Sequence, residues 1–371
     1  MADYTACPHS KREIVGAGKA LAGNIVYDQT ALPDILETFR IAHSWRLANL
    51  YPMRRVRHEL TGKIRAIKAD AITAARLKRM VSIRKKLRTS PLTLYQMQDL
   101  GGCRAIISNQ AELDRLVERY VVGDTPHAIV RDDDRIALPR HDTGYRGRHL
   151  TLKFNELHGR SDFDRHFIEV QFRTRLQHYW ATAVEAVGLV RGEDLKGGGG
   201  NADWLRLFQL MAGEMAEDEG TAPVPSVSVE APERRQELID LNGRLGALRA
   251  LAGYNSAIRH MEGFIGSAPY YLIQYDSIRR EVNVRPFRAA RLGSEQYADA
   301  ERNTQINTVF VEVDKVADLR EAYPNYFLDV EAFTARLRRT ISPPPPPKAG
   351  RNLRAGRLFE DWKSWRERRM L

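Results

Sequence analysis

The spacing of the hydrophobic residues changes along the chain, from the period of a helix to the alternation of a strand. Between residues 31 and 65 apolar side chains such as Ile35, Leu36 and Phe39 recur at helical spacing, which predicts helix. Later stretches alternate apolar and polar residues, as strands do, and lead into further helical patterns. The predicted elements are a strand feeding a helix over 74–87, strands over 103–108, 148–154 and 166–174, and helices over 110–121, 175–188 and 202–220. Strands interleaved with helices predict an α/β or α+β domain around a mixed sheet.

The composition changes at residues 221–232, TAPVPSVSVEAP, which predicts a linker before a long helix over 233–261. A smaller unit follows, with PYYLIQYDS and EVNVRPF as a hairpin, NTVFVEVDK as a third strand and VEAFTARLRRTI as a closing helix. Five consecutive prolines predict a stiff spacer, and the tail after them predicts a basic amphipathic helix. The predicted divisions are therefore 1–228, 229–266, 267–342 and 343–371.

Charge narrows the class of partner. The chain has 58 Lys and Arg against 47 Asp and Glu, a formal net charge of +11. This balance favours a polyanionic partner, with a soluble enzyme from a basic proteome as the alternative.

Cys7 and Cys103 have no partner at metal-ligand spacing, which disfavours a zinc site or a disulfide framework. No apolar run approaches the length of about 20 residues that spans a membrane. Without an apolar leader the sequence predicts a cytoplasmic protein.

Cationic residues surround the start of the helix in RLKRMVSIRKKL, residues 76–87. Arg76 and Lys78 point the same way from a strand. Ser82 and Lys86 lie one turn apart on one helical face. Such a cluster predicts a phosphate-binding site. The alternative is a solvated basic face.

Two carboxylates follow in separate motifs. Asp99 precedes a strand rich in small residues in DLGGCRAI, where a capped helix-to-strand turn is the alternative. In FIEVQFRT, Glu169, Gln171 and Arg173 share the polar face of a strand, which indicates the wall of a cleft. Asp99 and Glu169 together predict a two-carboxylate Mg²⁺ site for the phosphates of a nucleotide.

The order of four motifs carries a family resemblance. It reads Arg-x-Lys-x-x-x-Ser-Ile-x-x-Lys, Asp-Leu-x-Gly-x-Arg, Gly-Tyr-x-x-x-His and Glu-x-Gln-x-Arg-Thr. This order resembles the synthetase domain of the RelA/SpoT alarmone synthetases, in particular their short forms, over residues 40–220. The resemblance implies a nucleotidyltransferase-like mixed sheet flanked by helices. It also implies transfer of pyrophosphate from ATP to the 3′ hydroxyl of GDP or GTP.

The same resemblance implies a role for each matching position. The ATP phosphates would be bound by Arg76, Lys78, Ser82 and Lys86, with Arg104 supporting the site. Mg²⁺ would be held by Asp99 and Glu169, and Glu169 is the alternative activator of the 3′ hydroxyl. The acceptor base would stack on Tyr145. The acceptor side would also include Gln171 and Arg173, with His178 on the following helix.

The acceptor loop, GYRGRHL over residues 144–150, departs from the family pattern. Gly147 stands where alarmone synthetases usually carry a small polar residue. Stacking on an aromatic ring tolerates any base, so Tyr145 does not choose the acceptor. Arg146 and Arg148, in a loop that reads as flexible and basic, favour an acceptor larger than GDP, and His149 is a further predicted residue of the acceptor side.

Residues 268–333 resemble the C-terminal pseudo-zinc-finger domain of the CapRel group, which are fused toxin–antitoxin relatives of the short alarmone synthetases. Such relatives pyrophosphorylate the 3′-CCA end of tRNA with ATP. Their C-terminal domain restrains the enzyme until a phage protein, such as a major capsid protein, binds it. Tyr323 and Tyr326 match a Tyr-x-x-Tyr element that fills the adenine site, with packing inside the small domain as the alternative.

The resemblance thus implies an autoinhibited, monomeric toxin that uses Mg²⁺ and ATP to pyrophosphorylate tRNA and is released by a phage protein. The first alternative is an alarmone synthetase that makes (p)ppGpp or its adenosine analogue. The second is a catalytically inactive nucleic-acid-binding or sensor protein. The carboxylates argue against the second, because binding alone does not require them.

Overall fold

Eight strands form one sheet in the computed structural model, which describes residues 4–23, 32–157, 159, 161–164, 166–256, 268–276, 278–279, 281–301, 306–313, 316–323, 327 and 329–342. The strands are β1 (Ala71–Leu77), β2 (Gly101–Ile107), β3 (Ala128–Asp134), β4 (Arg148–Lys153), β5 (Phe167–Thr174), β6 (Tyr270–Asp276), β7 (Glu281–Phe287) and β8 (Ile306–Val313). Their order across the sheet is β3-β4-β5-β2-β1-β8-β6-β7. β2 and β5 run parallel, and the other neighbours run antiparallel.

Helices pack on both faces of the sheet. They are α1 (Lys11–Ala22), α2 (Leu32–Leu47), α3 (Leu50–Ala66), α4 (Met80–Thr89), α5 (Gln110–Val121), α6 (Arg175–Arg191), α7 (Ala202–Glu219), α8 (Ala231–Leu245), α9 (Ala247–Ser256), α10 (Ala290–Ala300), α11 (Val316–Ala322) and α12 (Glu331–Ile341). α3, α5 and α10 pack on one face. α6 and α11 pack on the other, and α7, α8, α9 and α12 form a further layer there. α1, α2 and α4 pack against one another. None of the described helices combines the length and apolar content needed to span a bilayer.

Apolar and polar residues alternate along β5, so one face of the sheet is apolar at this strand and the other is polar. Ile168, Val170 and Phe172 are fully buried against α3 and α5, where each contributes about 1.5–3 kcal/mol. The polar residues between them therefore point to the α6 side. α6 begins directly after β5 with a capping box between Thr174 and Gln177, so this connection is short and fixed.

The structure confirms the predicted mixed sheet flanked by helices and most of its elements. The helix predicted over 31–65 is two helices, since the chain turns at Ala48 and Asn49. The helix predicted over 233–261 breaks at Gly246, whose φ of 59° ends α8, and its last residues lie outside the described part of the chain. The prediction missed α1, β3, α10 and α11.

The predicted C-terminal strands extend the same sheet. β6 and β7 form the expected hairpin, and β8 is the third strand. β8 also pairs with β1, where Ala74–Arg76 lie opposite Val313–Val311. The unit therefore has no sheet of its own among the described residues, and the domain boundaries and pseudo-zinc-finger architecture stay predictions. The predicted spacer and tail, 343–371, lie outside the described residues.

Candidate active site

A cavity of about 630 Å³ lies between α4 and α6. One wall is cationic and includes the four positions predicted to bind ATP phosphates, which are Arg76, Lys78, Lys86 and the neutral Ser82. Strand β1 delivers the first, the β1–α4 turn delivers Lys78, and the inner face of α4 delivers the other two. The structure thus brings all four together, and a nucleotide's phosphates would meet several positive charges at once.

Asp99 joins the two lysines of this wall. Its Oδ2 atom lies 2.7 Å from Lys86 Nζ and 3.0 Å from Lys78 Nζ. Its Oδ1 atom is buried and has no hydrogen-bond partner among the described residues. One oxygen therefore orients the ammonium groups, while the other is left for a further ligand.

Asp99 and Glu169 lie at the same end of the parallel pair β2 and β5. Gly102 is the register partner of Glu169, and Asp99 precedes β2 by two residues. Arg76 is the register partner of Gly102 on the other side of β2, so the cationic wall and Glu169 are adjacent in the sheet, and Lys78 contacts Asp99 at 3.0 Å. No group of three or more His, Cys, Asp or Glu side chains suited to a metal occurs in the described part of the chain. Mg²⁺ usually takes only one or two carboxylates plus substrate phosphates, so the donor set fits Mg²⁺.

Glu169 begins a chain of hydrogen bonds that ends at the acceptor-loop tyrosine. Glu169 Oε1 lies 2.8 Å from His149 Nδ1, and Gln171 Nε2 donates to Glu169 Oε2 at 2.6 Å. His149 Nε2 lies 2.5 Å from Tyr145 Oη. Arg173 Nη2 donates to the same oxygen at 3.0 Å. Tyr145 is thus held in place, and the expected flexible loop is wrong for this position.

The charges of this chain shift one another. Burial opposes ionisation of Tyr145, but the positive charges of Arg173 and His149 lower the Tyr145 pKa to about 7. Burial likewise opposes the charged form of His149, while Tyr145 and Glu169 raise the His149 pKa to about 9. Against burial, the hydrogen bond and charge of His149 hold the Glu169 pKa well below its usual range. Glu169 is therefore an ionised carboxylate at neutral pH.

Arg146 is not on the acceptor side, which corrects the prediction. Its guanidinium is 3% exposed and forms an ion pair with Glu219 at the end of α7. It also donates to Thr221 Oγ1 at 2.9 Å and to the carbonyl of Ala212 at 3.3 Å. Arg146 thus fastens the acceptor loop to α7 and is not available to a substrate.

Arg148 also departs from its predicted place. Neighbouring residues of a strand face opposite sides, so Arg148 lies on the other face of the sheet from His149. It makes a two-point contact with Asp132 on β3, at 2.9 and 2.6 Å, and a 3.3 Å contact with Asp134. These contacts secure an edge strand that the sequence reading missed.

The C-terminal end of α11 lies over the face of β2 that carries Arg104. Arg104 Nη1 donates to the carbonyl of Ala322 at 3.2 Å, and its guanidinium lies 6.0 Å from the ring centre of Tyr323. His178 Nε2 donates to the carbonyl of Glu321 at 2.9 Å. Two predicted site residues, Arg104 and His178, therefore contact the C-terminal segment.

Tyr323 is 2% exposed and belongs to the apolar core on the α6 side. Burial, together with Arg173 and Arg76, lowers the pKa of the Arg104 guanidinium to about 10, so a π-face beside it stabilises a costly buried charge. Tyr326 lies outside the described residues, and the role of the Tyr-x-x-Tyr element stays a prediction.

Glu185 and Lys196 also line the cavity, and the sequence reading missed both. The Glu185 carboxylate accepts a hydrogen bond from Lys196 Nζ at 2.5 Å. Burial would raise the Glu185 pKa, but Lys196, Arg76 and Arg104 hold it below its usual range. The sequence feature that could have identified Glu185 is its position as a single carboxylate within the apolar stretch of α6.

Residues 75–188, from β1 to α6, match the family model described as the region found in RelA/SpoT proteins. This match confirms the predicted enzyme class, an ATP-dependent pyrophosphotransferase. No curated protein matches the chain. The membership in a toxic subgroup and the identity of the acceptor stay predictions.

Three solved structures illustrate what the chain is similar to. Small alarmone synthetase 1 from Bacillus subtilis, bound to its product pppGpp, is 22% identical, with a TM-score of 0.38 over 46% of this chain and 89% of that chain. Small alarmone synthetase 2 from Bacillus subtilis is 19% identical, with a TM-score of 0.38 over 47% and 91%. A GTP pyrophosphokinase family protein from Streptococcus pneumoniae is 16% identical, with a TM-score of 0.37 over 45% and 86%.

Proposed function

We propose that the chain transfers pyrophosphate from ATP to the terminal 3′ hydroxyl of tRNA and so blocks translation. The observation that carries the proposal is a cationic wall that lies beside an ionised carboxylate. Arg76, Gly102 and Glu169 are consecutive register partners across β1, β2 and β5, so the donor wall and Glu169 are neighbours. Lys78 of the same wall contacts Asp99 at 3.0 Å.

The cationic residues of the donor side neutralise the negative charge of the ATP phosphates. Arg76, Lys78 and Lys86 offer a guanidinium and two ammonium groups to the phosphates, and such preformed charges act most strongly on the transition state. Asp99 and Glu169 would hold Mg²⁺, which when bound supplies further positive charge to the phosphates.

The transfer itself forms one bond and breaks one. The 3′ oxygen of the acceptor attacks the β-phosphorus of ATP, the bond from that phosphorus to the α–β bridging oxygen breaks, and AMP leaves. Because its pKa is held low, Glu169 orients the hydroxyl by accepting its hydrogen bond, and the proton passes to solvent as AMP leaves. His149 and Gln171 hold its two oxygens, each of which keeps a lone pair for that proton.

Support for tRNA as the acceptor comes from the net charge of the chain and from the family resemblance. Arg146 and Arg148 no longer contribute, because both are engaged in internal ion pairs. Lys85 and Arg88 on the exposed side of α4 are likewise engaged, Lys85 with Asp194 and Arg88 with the carbonyls of Ala22 and Gly23. The net charge of +11 is what favours an extended polyanion over a single nucleotide.

We further propose that the C-terminal segment restrains the enzyme until a phage protein, such as a major capsid protein, displaces it. The supporting contacts are those of Glu321, Ala322 and Tyr323 with His178 and Arg104. A monomer is sufficient for this arrangement, because the covering segment and the site belong to one chain.

The proposal is tested with ATP labelled in its γ-phosphate, tRNA and GDP competing in one tube, and Asp99→Asn as the inactive control. Label on tRNA supports the proposal. Label only in a guanosine nucleotide would instead make the chain an alarmone synthetase. Label in neither, with the wild type and with a candidate trigger present, contradicts both.

A further inference from the structure

A carboxylate from the far end of the chain holds the start of α4. The backbone N–H of Met80, the first residue of α4, donates to Glu301 Oε1 at 2.9 Å. In the described structure, the N-cap residue Arg79 makes no side-chain capping bond, and the first turn of α4 contains no acidic residue. The helix that carries Ser82 and Lys86 thus obtains its N-terminal acceptor from a residue more than 200 positions away.

The same carboxylate is tied to the turn that carries Lys78. Arg46, which is completely buried, donates through Nη1 to Glu301 Oε2 at 2.6 Å and to the backbone carbonyl of Lys78 at 3.3 Å. Its Nη2 atom donates to His43 Nδ1 at 2.7 Å, and its guanidinium stacks 4.7 Å from the ring centre of Tyr297. Arg46 therefore joins α2, α10 and the β1–α4 turn at one point.

A second contact links the same two regions. The Arg79 guanidinium donates to Oδ1 of Asn307 in β8, and both residues line the cavity. β8 pairs with β1 only a few residues away. The start of α4 is therefore fixed from one side by Glu301 and from another by the C-terminal strand.

We infer that Glu301 is a positioning residue of the donor site, acting through Met80 and Arg46 on the placement of Ser82, Lys86 and Lys78. The inference rests on the proposed function. Its consequence is that the end of α10 completes the donor site, whereas the restraint proposed above comes from the end of α11, which contacts Arg104 and His178. A displacement of about 1 Å in such a site costs about 100-fold in rate, so losing the Glu301 contacts impairs the site directly.

The test measures two quantities in the full-length chain. Calorimetry gives the affinity for a non-hydrolysable ATP analogue, and urea unfolding without ligand gives stability. The variants are Glu301→Gln, which removes the charge, and Glu301→Asp, which keeps the charge against Arg46 but is too short to reach Met80 as well. The matched control is Glu295→Gln on the same helix, which removes an exposed carboxylate that pairs only locally, with Arg291 at 2.8 Å.

Both Glu301 variants are expected to bind the analogue about tenfold more weakly, a change typical of a lost helix cap, and Glu295→Gln is expected to bind like the wild type. Wild-type affinity in the folded Glu301 variants, with lower stability alone, overturns the inference and leaves the proposed function intact. If Glu301→Gln does not fold, the Glu301→Asp affinity decides. A chain that does not bind the analogue, either as the wild type or with Tyr323→Ala to relieve the restraint, contradicts the proposed function and the inference together.

Discussion

Tyr145 illustrates how far a few contacts change one side chain. Arg173 and His149 share its oxygen, and their charges bring its pKa from 10.0 to about 7. Ultraviolet titration of the folded protein is therefore expected to show one tyrosine ionising near pH 7. Tyr145→Phe should lack this transition, and its appearance only near pH 10 would contradict the described contacts.

Ultraviolet titration of Tyr145 tests these contacts more directly than the pH dependence of unfolding does. Tyr145 stabilises the fold fully above its unfolded pKa of 10.0, and this contribution is lost as the pH falls through about 7. His149 does the opposite, because its pKa is raised: its contribution is full below 6.5 and is lost as the pH rises through about 9. Between about pH 7 and 9 the two contributions offset each other.

The two carboxylates provide the second prediction. Asp99→Asn and Glu169→Gln are each expected to lower kcat by about 10²- to 10⁴-fold, because one orients the lysines of the donor wall and the other acts on the acceptor hydroxyl. Steady-state kinetics with labelled ATP measures this. Asp203→Asn on α7 is the control, since that exposed carboxylate pairs with Arg244 outside the cavity. Unchanged kcat in both site variants would contradict a catalytic role for Asp99 and Glu169.

The acceptor loop and α7 are fastened by Arg146, which gives the third prediction. Arg146→Ala leaves Glu219 buried without its partner and is expected to cost about 3–5 kcal/mol of the free energy of unfolding. Arg148→Ala breaks a more exposed contact and should cost about 0–1 kcal/mol. Urea unfolding compares the two. Equal stabilities, with weaker tRNA binding by Arg146→Ala, would return Arg146 to the acceptor side.

The donor wall was predictable because its information is local. Arg76, Lys78, Ser82 and Lys86 fall within one strand–turn–helix unit, whose periods fix where each side chain points. The same periodicity placed Glu169, Gln171 and Arg173 on one face of β5.

Other features depend on partners that are distant in sequence. β3 pairs with β4 through charged residues, so its sequence, AIVRDDD, does not resemble a buried strand. Arg146 reads as a solvent-exposed loop residue until Glu219 is known to lie beside it. The cap of α4 by Glu301 joins residues 221 positions apart, which local patterns do not report.

Across the whole molecule, one sheet connects the donor site to the C-terminal segment. β8 lies directly beside β1, and α11 ends over Arg104. The segment is therefore well placed both to support the site, through Glu301, and to restrain it, through Tyr323.

Restraint through Tyr323 gives the fourth prediction. Tyr323→Ala removes the ring beside the Arg104 guanidinium and is expected to raise turnover without a trigger by about tenfold, given that such contacts contribute up to about 2 kcal/mol. Turnover is measured with labelled ATP and tRNA. Tyr275→Ala is the control, because Tyr275 is a buried tyrosine of β6, which β8 separates from β1. Loss of stability with no rise in turnover in both variants would contradict the restraint.

The most direct test of the central claim is mass analysis of the 3′-terminal nucleotide of tRNA after incubation with the chain, ATP and Mg²⁺, using Tyr323→Ala to relieve restraint. We expect the terminal adenosine to gain one pyrophosphate group. A tRNA that ends in 3′-deoxyadenosine lacks the attacking hydroxyl and should remain unmodified. An unmodified normal tRNA, under conditions where ATP is consumed and a free guanosine or adenosine nucleotide gains the pyrophosphate, would contradict the claim.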